Sequence, residues 1–169
     1  MSAAIPGLLD HLVDLMEGSV TGLDRYIDSD KFEFVDIPVE ACFENAAGAP
    51  YPFEVPPESL SGTYPDDIQH TGSVNDIYDS VTLVVRVGYA ANMHDQKVTS
   101  KDITEDVFRI RRTLGDQDAW ISNSNFSRIA AGDWSVSSVI LPGSDTGEDA
   151  DLMFVLEQEF TIIYREDQT

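Results

Sequence analysis

Residues 151 to 166, DLMFVLEQEFTIIYRE, alternate with period two. Leu152, Phe154, Leu156, Gln158, Phe160, Ile162 and Tyr164 fall on one side. Met153, Val155, Glu157, Glu159, Thr161, Ile163 and Arg165 fall on the other. Successive side chains of a strand point to opposite faces, so this spacing predicts a half-buried strand rather than a helix. At ~3.3 Å per residue it would extend on the order of 50 Å, beyond the usual ~17–20 Å. A run of that length either bends to serve two sheets or projects toward a neighbour.

The same reading along the chain predicts a helix over 6–17, with Leu8, Leu9, Leu12, Val13 and Met16 on one stripe. Pro6 suits its first turn and Gly18 its end. KFEFVDIPV (31–39) has strand composition, with Pro38 confining it to an edge or a strand terminus. SVTLVVRVGYA (80–90) is a strand that turns Val81, Leu83, Val85, Val87 and Tyr89 to one face. A helix follows over 99–114, opened by a capping pair, Thr99 and Asp102, and carrying Ile103, Val107, Ile110 and Leu114 at helical spacing. Gly115 ends or kinks it, and ISNSNF continues as a short helix or turn. WSVSSVIL (134–141) alternates again, and PGSDTGEDAD (142–151) links it to the terminal strand as a hairpin loop.

Residues 44–76 break this pattern with five prolines and three glycines. A structureless insertion of this length is usually functional or disordered. Tyr51, Phe53, Val55 and Tyr64 give it apolar surface, so it reads either as an extended arm that orders against a partner or as a loop packed on its own domain. The expected architecture is one α+β domain over 1–169. It has a mainly antiparallel four-stranded sheet, two principal helices on one face, and the Pro-rich arm.

Charge changes the picture more than size does. Ten basic residues against 31 acidic ones give a net charge of −21, with 20 Asp and 11 Glu against 3 Lys and 7 Arg. A basic grip on nucleic acid is excluded. Asp-rich, Lys-poor chains of this kind resemble proteins of salt-accumulating halophiles. Near 1 M salt the Debye length shrinks to ~3 Å, which screens the self-repulsion of such a surface.

Candidate chemistry is sparse. Cys42 is the single cysteine and has no disulfide partner; it reads as a small buried hydrophobe. His11, His70 and His94 lack metal-ligand spacing, and no phosphate-binding or nucleophile motif occurs. DTGEDAD gathers Asp145, Glu148, Asp149 and Asp151 but not in the calcium-loop arrangement, so it reads as a solvated acidic turn. The expectation is no enzyme, no metal and no cofactor. The N-terminus carries no basic residue and no window approaches eighteen apolar residues, so neither a secretory signal nor a spanning helix is expected. The chain is expected to be soluble and intracellular in origin.

The order of elements resembles the tail terminator proteins of long-tailed viruses. The likeness covers about 77–166: a strand at 81–89 leading into a helix at 101–114, then a hairpin with the Asp-rich turn GSDTGEDAD and a final strand ending at Ile162, Ile163 and Tyr164. It implies a virion protein of the neck, assembled in the host cytoplasm. Such a protein forms a homohexameric ring at the head-proximal end of the tail tube, which ends tube polymerisation and joins the head connector or stopper. DNA would pass a carboxylate-lined lumen without specific binding. The composition points to a virus of a halophilic archaeon. Phe53, Val55 and Tyr64 are the expected partner-facing residues of the arm, and Phe160, Ile162 and Tyr164 the expected sheet or subunit contact. Other readings are a different neck ring, such as a stopper or connector, and a host α+β binding domain that uses 44–76 as a ligand lid.

Overall fold

The structure, a computed structural model, describes residues 4–18, 27–42, 50–63, 76–90, 96–116, 120, 126–140 and 152–167. Its elements in chain order are α1 (Ala4–Met16), β1 (Phe32–Phe34), β2 (Tyr51–Glu54), β3 (Ser61–Thr63), β4 (Asp76–Ala90), α2 (Gln96–Leu114), β5 (Phe126–Ile140) and β6 (Leu152–Asp167). The fold is α+β. The sheet is larger than the four strands expected: six strands lie in the order β1-β2-β4-β6-β5, with β3 also on β4, and the β1–β2 pair is parallel.

Three long antiparallel strands form the body of this sheet. β6 pairs along the whole of β4 on one side and with β5 on the other. The terminal strand therefore neither bends into a second sheet nor projects. Its length is used by two partners of 15 residues each. β4 begins earlier than its apolar run suggests, and β5 begins at Phe126, well before the alternation at 134–141. The Ser-, Ala- and Gly-containing stretch 127–133 has little strand propensity of its own, and cross-strand pairing overrides it.

Opposite residues of an antiparallel pair share a face. Val81, Leu83, Val85, Val87 and Tyr89 thus lie with Ile162, Phe160, Gln158, Leu156 and Phe154. This face packs against both helices. Leu8, Leu12, Leu15 and Met16 of α1 and Ile103, Val107, Ile110 and Leu114 of α2 enter the same core, joined by the fully buried Trp120. Gly18 closes α1: its N–H donates to the Leu15 carbonyl at 3.2 Å, and its φ of +70° turns the following chain away from the helix. Gly115 follows α2 as expected, but α2 starts at Gln96. Thr99 is therefore inside the first turns and buried rather than a cap.

On the opposite face a smaller cluster of Val39, Met153 and Val155 forms under the 3₁₀ turn Val39–Ala41, which Pro38 initiates after β1 has ended. Residues 50–63 of the Pro-rich segment are strands and a turn of the chain's own sheet, which is the packed-loop reading of that stretch. Residues 43–49 and 64–75 lie outside the described residues.

Candidate functional site

The outer edge of β5 has no partner strand among the described residues. Two bulges shape it, at Phe126/Arg128 and at Ala131/Trp134. The second inserts one extra residue opposite Glu159 and so reverses the alternation. Ile129 and Ala131 lie on the helix side, and without the bulge Trp134 and Val136 would turn away from it. With it, Trp134 stands opposite Gln158 and Val136 opposite Leu156, on the helix side.

Two side chains hold the bulge. Arg111 Nη1 of α2 donates to the Gly132 carbonyl at 2.9 Å. Gln158 Nε2, buried beneath, donates to the same carbonyl at 3.0 Å and to that of Glu159 at 2.8 Å. Beyond the bulge the helix side of β5 is exposed, although Leu156 of β6 beside it stays buried. Trp134 and Val136 are 44% and 41% exposed, and Phe108 of α2 is 62% exposed with the Arg112 guanidinium 5.4 Å from its ring centre. Residues 134–140, WSVSSVI, carry no charge. A long, neutral, unpaired edge with apolar side chains is a template for strand addition unless something covers it.

The other side of β4 is different in kind. β2 and β3 share that edge, and β1 lies outside β2. The strands there are short, and each exposes little backbone. The other two exposed large apolar residues among the described ones are Ile37, in the turn leaving β1, and Leu60, leading into β3. Leu60–Thr63, LSGT, is again uncharged.

Two charged groups of residues lock the rest of the molecule. On the second sheet face, Arg86 pairs with Glu40, with Glu157 at 3.2 Å and with Glu54 at 3.5 Å, while Glu54 also accepts from the Val39 N–H. The hydrogen bond from Arg86 holds the Glu40 carboxyl below its ordinary pKa, against burial, which works the other way. On the helix side, the fully buried Asp106 accepts from Tyr89 Oη at 2.9 Å and from Arg109 at 3.0 Å, and Lys31 lies at 3.4 Å. Burial raises the Asp106 pKa, opposed by Lys31, Tyr89 and Arg109. The Tyr89 hydroxyl is raised well above its usual value by burial and by the Asp106 carboxylate. Each group is satisfied within the chain, so both act as braces between elements.

Of the residues singled out from sequence, Phe53, Phe160, Ile162 and Tyr164 lie in the chain's own core, at 0%, 0%, 0% and 5% exposure. Val55 is half-buried against that core, and Tyr64 lies outside the described residues. Intramolecular packing accounts for the burial of these side chains. The exposed residues Phe108, Trp134 and Val136 were missed; the charge-free run 134–140 was a signal for the last two, and Phe108, between Asp106 and Arg109, had none. His11 packs edge-on to Trp120 at 5.0 Å, whereas His70 and His94 fall outside the described residues. Cys42 is half-buried, with Sγ 3.5 Å from the Pro38 carbonyl. The DTGEDAD turn is likewise outside, and among the described residues no three His, Cys, Asp or Glu converge to hold a metal. No helix among the described residues is long and apolar enough to cross a membrane. No protein-family model matches the chain, and no match is found among curated proteins.

Proposed function

We propose that this chain is a structural ring subunit of the tail terminator type. In that role it closes the head-proximal end of a viral tail tube and presents a surface to the head connector, in a virion of a halophilic archaeal host. The observation that carries this reading is the edge of β5, without a partner strand among the described residues and charge-free over 134–140, on a body of three long strands. Edge pairing supplies backbone hydrogen bonds without bringing carboxylates together, which matters between copies that each carry −21. The Arg86 and Asp106 braces are satisfied within the chain, and assembly is the function best matched to the exposed features. The acidic surface suits a lumen that passes DNA without holding it.

Light scattering on a sizing column at high KCl, followed by negative-stain imaging with purified tail tubes, tests the reading. The expected result is a closed oligomer near six protomer masses, or particles capping tube ends. A chain that stays monomeric and ignores tubes overturns it and leaves a binding domain. Particles that bind heads but not tubes identify a stopper or connector instead.

A further inference from the structure

We infer that copies of this chain join head to tail, the β5 edge of one seated on the β1–β3 side of the next. The inference rests on the ring reading and assigns the two surfaces that make it. Four of the five exposed large apolar residues of the described chain are not scattered. Trp134 and Val136 stand on the β5 edge, while Leu60 leads into β3 and Ile37 follows β1, strands on the far side of β4. Single exposed apolar residues need no explanation. Exposed apolar residues at opposite margins of one sheet do, because unlike complementary patches generate heterologous contacts, which close into a ring when the rotation between copies closes.

Neither seam carries charge. Residues 134–140 and 60–63 are both free of ionisable side chains in a chain with 31 acids. Among the described residues the short strand β3 pairs only with β4, which leaves its outer N–H and C=O groups as the place where a strand could be added on this side. Setting β3 against β5 would continue the sheet from copy to copy, and Leu60 would arrive on the Trp134–Val136 margin. A two-fold contact of β5 with β5 would satisfy the same edge, yet it would leave Ile37 and Leu60 in water.

Two variants separate these arrangements. W134E/V136E disables the β5 edge, and I37E/L60E disables the opposite side; all four positions are exposed, and circular dichroism checks that each variant folds. Head-to-tail assembly predicts that each variant alone is monomeric under conditions where wild type is a ring. An equimolar mixture then gives a dimer of twice the protomer mass and nothing larger, because each partner supplies the one intact surface the other lacks. If I37E/L60E alone forms a dimer, the contact is β5 to β5 and the inference fails. If both variants remain rings, these surfaces are not the interface, although the ring reading stands. A wild-type chain that never assembles, even on tail tubes, removes both.

Discussion

Asp106 shows how one residue couples distant parts of the chain. It sits on the inner side of α2, yet its carboxylate gathers Tyr89 from β4, Lys31 from before β1, and Arg109 one turn along its own helix. Lys31 also lies 5.3 Å from the Tyr51 ring centre, and Tyr51 tilts against Tyr89 at 4.5 Å. Removing the hydroxyl in Tyr89→Phe leaves a buried carboxylate short of a donor, at a cost of about 1–3 kcal/mol in chemical denaturation. The pH dependence carries a definite sign. Because the folded Asp106 pKa is raised, the folded state holds that proton more tightly than the unfolded chain. Its contribution to stability is therefore present below the ordinary Asp value and lost as pH rises through the folded one. Denaturant midpoints measured across that window should fall less in Asp106→Asn than in wild type. Glu40 runs the opposite way: its pKa is lowered by Arg86, so its contribution is present above the ordinary value and lost on acidification. The gap between wild type and Glu40→Gln should narrow as the pH drops, and a constant gap would mean the Arg86 pairing is not what holds this turn.

At the level of the element, β5 depends on its bulge. The bulge sets which face Trp134 presents, and Gln158 is the buried clamp that keeps it. In Gln158→Met the Gly132 carbonyl retains only Arg111 among the side chains described here, and a loss of the order of 1 kcal/mol is expected from the missing hydrogen bonds. Trp134 emission should shift with it, since the strand beyond the bulge loses its anchor. Gly132 itself leaves little room: a Cβ there would stand 3.2 Å from the Glu159 Cβ. Gly18 is the other special position. Its positive φ, and the Ile27 carbonyl 3.0 Å from where a Cβ would stand, make Gly18→Ala costly by roughly 1 kcal/mol or more. A midpoint unchanged in either variant would show that these segments carry little of the folding free energy.

For the whole molecule the dominating term is the charge of −21. Self-repulsion favours the expanded chain, and raising salt from 0.1 to 1 M shortens the Debye length from ~10 to ~3 Å. The urea midpoint is therefore expected to climb with KCl over that range, and assembly to climb with it, because repulsion between copies is screened by the same ions. Flat midpoints would mean that the Arg86 and Asp106 braces already offset the surface charge locally. Apolar edge contacts do not weaken with salt. Assembly that survives high KCl and fails in W134E/V136E would separate the edge from any ion-pair interface.

Much of the inward-facing surface was legible from residue types alone. Period two named the buried side of β4 and most of that of β6, and helical spacing named Ile103, Val107, Ile110 and Leu114, because side-chain direction follows from local backbone geometry. Net charge, and the neutrality of 134–140, are likewise properties of the chain as written. Strand order is not local. That β6 is central, that β2 and β3 complete the sheet, and that β5 is left at the edge depend on pairings between segments far apart in sequence. Periodicity along one segment carries no record of its neighbours. The bulge is the sharpest case: one inserted residue reverses the alternation, so strict alternation from Ile129 would put Trp134 on the wrong face. Only the register against Gln158, and the carbonyl that Arg111 and Gln158 share, decide that this tryptophan meets solvent on the helix side of an open edge.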